Sequence, residues 1–240
     1  MSGHSKWANI KRRKESVDTK RANIFSKIGK EITVAVKSGG SDPSINSKLR
    51  DVIYKAKSNN MPNDNINRCI VKASGDTNNV AYEEITYEGF GPFNTNIIVE
   101  ALTDNKNRAA ADIRSIFNKS NGTMGKTGSV SYMFNKRGDI LIEKKDTIDS
   151  EELILLCIEN NAENIIEEEE YYEIICDVTY FNKLKEILIT NNYELAEAEI
   201  KMIPINTKKL TKEEETSFET FIEKLEENED VQNIWHNVDI

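Results

Sequence analysis

The sequence predicts an α+β protein in which an N-terminal three-helix bundle is followed by two α+β domains. Apolar residues recur at helical spacing through residues 18–74, which is typical of a small bundle. From residue 84 onward, strand-like stretches alternate with helical ones. Between residues 139 and 202 their order is β-α-β-β-α-β, the ferredoxin-like pattern. One more helix and one more strand follow over residues 211–238, and if they rejoin the preceding domain, the ferredoxin-like unit is an insertion within it.

Three helices are expected in the first 75 residues. The first begins near Asp18 and carries one apolar stripe, formed by Ile24, Phe25, Ile28, Ile32 and Ala35. Asp42-Pro43 offers an N-cap followed by proline at the first helical position, so the second helix is expected to begin there and to bury Ile45. Pro62 restarts the chain as a short third helix, which Gly75 ends.

The middle α+β domain is expected to be assembled from two separate stretches of chain. The sequence Gly91-Pro92-Phe93-Asn94 separates two strand-like stretches and predicts a hairpin. Thr211 provides a capping box for the closing helix. The predicted elements are strands over 84–90 and 96–102, a helix over 104–119, a strand over 129–134, and, after the insertion, a helix over 211–227 and a strand over 230–238.

These patterns predict three domains. Residues 1–75 form a basic arm plus a helical nucleic-acid-binding domain. Residues 76–136 and 207–240 together form the middle α+β domain. Residues 137–206 form the acidic ferredoxin-like domain. The last boundary requires a strand to rejoin its sheet after an insertion, which departs from the usual adjacency of neighbouring elements.

Charge is distributed very unevenly along the chain. Residues 1–75 hold 16 Lys/Arg and 6 Asp/Glu, a net charge of +10, whereas residues 141–240 hold 9 and 27, a net charge of −18. A basic segment attracts phosphates and speeds encounter with a polyanion, and an acidic body restricts which face can dock. The pattern favours nucleic acid, either DNA or ribosomal RNA, as the partner. The alternative is a solvated, lysine-rich helical face.

The N-terminal arm mixes cations with one indole, one imidazole and one amide. Lysine and arginine neutralise phosphates, and an exposed tryptophan can stack on a base. The alternative for Trp7 is that it packs against the bundle and holds the arm there. That alternative does not explain the four consecutive cations Lys11 to Lys14. The candidate nucleic-acid-binding residues are His4, Lys6, Trp7, Asn9, Lys11, Arg12, Arg13, Lys14, Lys20, Arg21, Lys27 and Lys30.

The sequence predicts no enzyme, no metal site and no cofactor. Its two histidines, His4 and His236, lie at opposite ends of the chain and have no ligand spacing with a cysteine. The three cysteines, Cys69, Cys157 and Cys176, fall on apolar faces, where a small buried hydrophobe is expected. An odd, sparse cysteine count and the absence of any stretch near 20 apolar residues predict a cytoplasmic protein without a membrane span. We expect a monomer.

Several motifs resemble the YebC family. They are the opening Gly3-His4-Ser5-Lys6-Trp7-Ala8-Asn9-Ile10-Lys11, Lys20-Arg21-Ala22 leading into Phe25-Ser26-Lys27, Leu102-Thr103-Asp104-Asn105 with Asn107-Arg108, Gly128-Ser129-Val130, and His236-Asn237-Val238. That family includes bacterial proteins described as DNA-binding regulators of transcription and a mitochondrial translational activator of cytochrome oxidase. The resemblance implies a helical N-terminal domain followed by two α+β domains. It also implies a regulatory function.

Taken together, the residues and the resemblance predict a non-enzymatic regulator of transcription that binds DNA through its basic N-terminal domain. One alternative is a ribosome-associated factor that contacts ribosomal RNA and assists elongation at proline-rich stretches. A second is an interaction scaffold whose acidic C-terminal domains dock a basic partner. Many relatives carry Gly-Pro-Gly-Gly where this chain has Gly91-Pro92-Phe93-Asn94, so the role of that turn is open.

Overall fold

A computed structural model describes residues 18–75 and 81–239 of the chain. The described residues form seven α-helices and two four-stranded antiparallel sheets. The elements in chain order are α1 (Asp18–Gly39), α2 (Ser47–Ser58), α3 (Asn63–Gly75), β1 (Glu83–Gly91), β2 (Thr95–Thr103), α4 (Lys106–Lys119), β3 (Thr123–Met124), β4 (Phe134–Glu143), α5 (Ser150–Glu159), β5 (Ala162–Glu167), β6 (Tyr171–Cys176), α6 (Val178–Thr190), β7 (Leu195–Pro204), α7 (Lys212–Glu227) and β8 (Val231–His236).

The helices α1 to α3 form the predicted three-helix bundle around one apolar core. Ile28 and Ile32 from α1 are fully buried against Leu49 from α2 and Ile66 from α3. Phe25 and Cys69 pack against the edge of this cluster and remain half-buried. Helical spacing of the apolar residues therefore predicted the bundle correctly.

The second helix begins later than the proline signal predicted. Its N-cap is Asn46, whose Oδ1 accepts a hydrogen bond from the backbone N–H of Leu49 at 3.0 Å. The Asn46 amide also donates to the Gly40 carbonyl at 2.7 Å and is buried. Asp42 caps only a local turn, and Ile45 is 80% exposed rather than buried. Asn46 caps α2 and also bonds the residue after α1, whereas Asp42 bonds only the backbone of Ser44, so the helix begins after Asn46.

Sheet A has the strand order β3-β1-β2-β8 and is closed by the last strand of the chain. The strand β8 pairs antiparallel with β2, and Ile98 lies opposite Trp235. The helices α4 and α7 meet through Phe117 and Phe221, whose ring centroids lie 5.2 Å apart in an edge-to-face arrangement. Both rings are fully buried. The prediction that the closing helix and strand rejoin the middle sheet is confirmed.

The strand predicted over residues 129–134 is wrong. Its middle forms a short 3₁₀ turn, and Phe134 instead begins β4 of the other sheet. The cause is the buried Glu88, whose Oε2 accepts hydrogen bonds from the backbone N–H groups of Val130 and Ser131 at 2.9 and 2.8 Å. Backbone donors held by a carboxylate are not available to a strand ladder.

Sheet B has the strand order β5-β6-β4-β7 and confirms the predicted ferredoxin-like unit. The helices α5 and α6 both pack on one face, where Leu153 and Leu184 cover Ile140 and Ile174. The acidic residues Glu168, Glu169 and Glu170 form the turn between β5 and β6, and Glu167 ends β5.

The described chain divides into two compact units. One contains residues 132–207 and residue 239, and the other contains the helical segment, sheet A and residues 208–238. The predicted boundary after residue 136 falls inside β4, because the backbone of that strand is continuous from Phe134. The further division of the larger unit at residue 75 stays a prediction.

Candidate nucleic-acid interface

Most of the predicted site residues belong to the N-terminal arm. His4, Lys6, Trp7, Asn9, Lys11, Arg12, Arg13 and Lys14 lie outside the described residues, and so does the side chain of Lys20. Arg21 is exposed near the start of α1. The described structure therefore reports on three of the twelve predicted side chains: Arg21, Lys27 and Lys30.

Lys27 and Lys30 are directed to the carboxyl end of α7. The Lys27 Nζ donates a hydrogen bond to the Glu226 carbonyl oxygen at 2.6 Å, and the Lys30 Nζ donates to the Glu229 carbonyl oxygen at 2.9 Å. Asn23, one helical turn before Lys27, donates to the Glu226 carbonyl at 3.3 Å. The last carbonyls of a helix are unpaired and carry its negative dipole end, so cations are stabilising there. These two lysines thus have a structural use within the chain.

Burial lowers the pKa of Lys27 to about 8, an effect that the nearby Glu226 opposes and Lys30 and Lys55 reinforce. A lysine in this position therefore loses its proton at a lower pH than a solvated lysine does.

A buried aspartate joins α1 to sheet A. Asp230 lies just before β8, and its Oδ1 accepts a hydrogen bond from Lys30 at 2.9 Å. Its Oδ2 accepts from Arg108 and from the Thr103 hydroxyl, each at 2.9 Å. Burial alone would raise the pKa of Asp230, but these three hydrogen bonds outweigh it and lower the pKa. The sequence gave no signal for this cluster, because its members are about 120 to 200 residues apart along the chain.

The groove beside Asp230 has a volume of about 530 Å³ and is lined by more acidic than basic side chains. The cations that line it are Lys30 and Arg108, and both already bond Asp230. Its acidic lining includes Asp104, Asp112 and Glu229. Such a groove repels phosphates, so it is not a nucleic-acid interface.

The outward face of α3 carries cations of a different kind. Arg68 and Lys72 lie one helical turn apart and are exposed, and Asn67 and Val71 lie beside them. Val71 is 71% exposed. Within residues 18–75 and 81–239, neither Arg68 nor Lys72 forms an ion pair, whereas Lys48 pairs with Glu84 and Lys55 with Glu31. The available positive charge of the described bundle therefore includes this face, which the sequence analysis did not select.

The buried thiols are poor nucleophiles. Burial raises the pKa of Cys157 to about 12 and that of Cys176 to about 11, so both stay protonated at neutral pH. In the part of the chain that the structure describes, no cluster of three or more His, Cys, Asp or Glu side chains could hold a metal ion.

His236 packs edge-to-face on Phe218, with ring centroids 5.0 Å apart.

The turn between β1 and β2 holds its backbone in an unusual conformation. Phe93 and Asn94 have φ angles of 59° and 54°, in the left-handed region. Lys208 donates a hydrogen bond to the Phe93 carbonyl oxygen. An aromatic residue in that region is uncommon, and the Lys208 contact helps to hold it.

No described helix is long and apolar enough to cross a bilayer.

The protein consists of a basic three-helix bundle followed by two α+β units, each with one four-stranded sheet. The second unit is inserted in the sequence of the first. Two family models cover almost all of the chain: "TACO1/YebC protein N-terminal domain" over residues 5–76, and "TACO1/YebC second and third domain" over residues 82–238. The chain belongs to the TACO1/YebC family.

Curated relatives and a solved structure agree with this assignment. A probable transcriptional regulatory protein of Thermoanaerobacter pseudethanolicus is 51% identical over 240 residues, which is 100% of this chain and 98% of the relative. One from Ruminiclostridium cellulolyticum is 52% identical over 95% of this chain and 92% of its own length. A crystal structure of a conserved hypothetical protein of Aquifex aeolicus is 36% identical and superposes with a TM-score of 0.81, covering 93% of this chain and 92% of that one. The names of the two curated relatives support a regulatory role and describe no enzyme class.

Proposed function

We propose that this chain is a non-enzymatic cytoplasmic regulator of transcription that binds DNA through its basic N-terminal segment. The observation that carries the proposal is the pair Arg68 and Lys72, exposed on one face of α3 with no ion-pair partner among the described residues. Residues 1–75 have a net charge of +10, of which the consecutive cations Lys11 to Lys14 supply four. Phosphate neutralisation by such groups dominates non-specific affinity for any nucleic acid.

The cations of the bundle differ in whether they already have a partner, and this difference favours the outward face of α3 as the nucleic-acid interface. Lys30 bonds a buried carboxylate and Lys27 bonds a helix end, so a polyanion would have to displace strong contacts in order to use them. Arg68 and Lys72 need no such displacement. We therefore propose that the arm and the outward face of α3 form the interface, and that Lys27 and Lys30 hold α1 in place.

The test compares two variants of equal charge change. Arg68→Glu with Lys72→Glu alters the proposed face, and Lys212→Glu with Lys224→Glu alters exposed positions on α7. Fluorescence anisotropy with a labelled DNA duplex should give at least about a tenfold loss of affinity for the first pair and a shallower salt dependence, by about one per lost phosphate contact. The control pair should bind nearly as wild type does. Equal losses for the two pairs would refute the proposed face.

A second variant tests the arm. Changing Lys11, Arg12, Arg13 and Lys14 together to Ala should lower the affinity for DNA without lowering thermal stability, because an exposed terminal segment contributes little to the core. Unaltered binding by this variant would remove the arm from the interface.

The ribosomal alternative has one observation in its favour. The outward face of α3 offers few side chains that read base edges, namely Asn67, Arg68 and Lys72, and this suits phosphate contacts better than operator recognition. Sedimentation of the native protein with and without nuclease separates the two candidates. Comigration of the protein with ribosomal particles supports the translational role. Sedimentation of the protein free of ribosomes, together with enrichment of promoter DNA bound to it, supports transcription.

A further inference from the structure

The two faces of sheet B differ in what covers them. Alternate residues of β4 point to opposite sides, so Ile140 and Ile142 face the helices α5 and α6, while Asp139 and Leu141 face away. Within this unit, both described helices lie on the first side. We call the second side the open face of sheet B; it includes Arg137, Asp139, Leu141, Tyr171, Glu173, Glu197, Glu199 and Lys201.

The centre of the open face is nevertheless buried. Leu141 is 0% exposed, Tyr171 is 2% exposed and Asp139 is 1% exposed. Leu141 and Tyr171 form a small apolar cluster to which Ala196 adds a half-buried methyl group. A sheet face without a covering helix leaves its central residues accessible, so this degree of burial calls for an occupant.

The open face is also acidic. Asp139 Oδ2 lies 2.9 Å from the Lys201 Nζ, and Glu197 Oε1 lies 2.5 Å from the same nitrogen, so one cation is shared between two carboxylates. Glu173 and Glu199 on neighbouring strands add further negative charge. Burial, together with the nearby carboxylates of Glu173, Glu168 and Asp139, raises the pKa of Tyr171 to about 12. An occupant of this face should therefore be a short segment that is both basic and partly apolar.

We propose that residues 4–12 of the chain's own N-terminal arm dock on the open face of sheet B. These residues lie outside the described part of the chain, and they combine the required chemistries: Lys6, Lys11 and Arg12 supply positive charge, and Trp7 and Ile10 supply apolar surface. The acidic unit thereby holds the arm in the absence of a polyanion. This docking is independent of the proposed function, although its consequence for nucleic-acid binding rests on that function.

Trp7 provides a direct probe of the docked arm in the full-length protein. The chain has two tryptophans, so Trp235→Phe leaves Trp7 as the sole indole. The Trp235 Nε1 is buried without a hydrogen-bond partner among the described residues, so its removal should be tolerated. In this background, without nucleic acid, Trp7 should be protected from acrylamide quenching.

Charge reversal on the open face should release the arm. Glu173→Lys with Glu199→Lys should reduce the ratio of docked to free arm at least about tenfold, because like charges then face each other. Glu151→Lys with Glu159→Lys makes the same charge change on the exposed side of α5 and should leave Trp7 protected. Circular dichroism verifies that both variants are folded.

A charge swap completes the test. Lys11→Glu with Arg12→Glu should also expose Trp7, and its combination with Glu173→Lys and Glu199→Lys should restore protection, which no independent pair of defects would do. Equal quenching in the folded face variant and its control would overturn the proposal. So would concentration-dependent protection accompanied by dimers in sedimentation, because the occupant would then be the arm of a second copy.

The same variants separate this inference from the proposed function. If the arm competes between the open face and nucleic acid, Glu173→Lys with Glu199→Lys should bind a DNA duplex more tightly than the equally charged control Glu151→Lys with Glu159→Lys. Equal affinities with released Trp7 would refute the competition and keep the docking. Loss of Trp7 protection is measured without any nucleic acid, so it does not depend on what the protein binds.

Discussion

Sheets A and B have the same number of strands and two helices each, but they are assembled differently. Sheet B is continuous in sequence, from Phe134 to Pro204. Sheet A takes its first three strands from residues 83–124 and its fourth from residues 231–236, after the whole of sheet B. One sheet can therefore complete itself locally, whereas the other is complete only when the end of the chain returns.

Their buried aspartates show the same contrast. Asp139 in sheet B pairs with Lys201 on the adjacent strand, inside a single unit. Asp230 beside sheet A bonds Lys30, Arg108 and Thr103, which come from α1, α4 and β2. A buried carboxylate is costly unless it is fully paired, so each acts as a constraint on what surrounds it. In sheet B the constraint fixes one sheet, and in sheet A it fixes the bundle to the sheet.

The largest effect is expected from removing the end of the chain. Truncation after residue 207 deletes α7 and β8, and with them Phe218, Phe221 and Leu225, all fully buried. Each buried side chain of this size contributes several kcal/mol, and the loss exceeds the 5–15 kcal/mol that typically holds a domain together. Hydrogen exchange should show that the amides of β1 and β2 lose protection while those of β4 and β6 keep it.

The reverse deletion sharpens the comparison. Replacing residues 132–207 with a short Gly/Ser linker should leave sheet A folded, since the deleted unit contributes no strand to it. Protection of the β2 amides in this variant is the measurement. If sheet A unfolds here, or survives the truncation, then the two sheets are not built as the strand orders imply.

The sequence predicted these two sheets because their apolar periodicity is strong and local. Helical spacing located the bundle, and the β-α-β-β-α-β order located sheet B. The predicted start of α2 was wrong because the Asn46 amide donates a hydrogen bond to the Gly40 carbonyl, a contact that no local sequence pattern reveals. The false strand over 129–134 has a similar cause, since Glu88 captures its backbone donors from 42 residues away.

The candidate interface was harder to predict than the fold. The charge of residues 1–75 could not distinguish paired cations from available ones. Lys27 and Lys30 have the same sequence character as Arg68 and Lys72, and only tertiary contacts with residues 226–230 separate the two pairs. The cluster around Asp230 gave no signal in the sequence because it forms between distant segments.

A single core substitution should affect sheet A strongly. Phe221→Ala removes a fully buried ring that contacts Phe117 edge-to-face, and we expect a loss of about 4 kcal/mol in the free energy of unfolding. Phe25→Ala in the bundle should cost less, because Phe25 is only half-buried. Urea unfolding followed by circular dichroism measures both. A smaller loss for Phe221→Ala than for Phe25→Ala would contradict the burial pattern.

Neutralising the two buried aspartates should separate their roles. Asp230→Asn leaves Lys30 without its carboxylate and should cost about 3 kcal/mol, with loss of hydrogen-exchange protection in α1. Asp139→Asn should also destabilise, but the loss of protection should be confined to sheet B. Asp104→Asn is the matched control, because its exposed pair with Arg108 contributes at most about 1 kcal/mol. Unchanged α1 protection in Asp230→Asn would show that this cluster does not hold the bundle.

The smallest effect is a pH dependence at the contact between α1 and α7. The folded pKa of Lys27 is about 8, below the usual 10.5, because the side chain is buried. Between these values the unfolded chain binds a proton that the folded protein does not, so the free energy of unfolding rises with pH in this window. Wild type should gain about 1 kcal/mol more than Lys27→Met between pH 8 and pH 10, a figure that discounts the full shift for solvent screening. Lys57→Met, which removes an exposed charge from α2, should keep the wild-type slope. Parallel slopes for wild type and Lys27→Met would mean that burial does not lower the pKa of Lys27 in the folded protein.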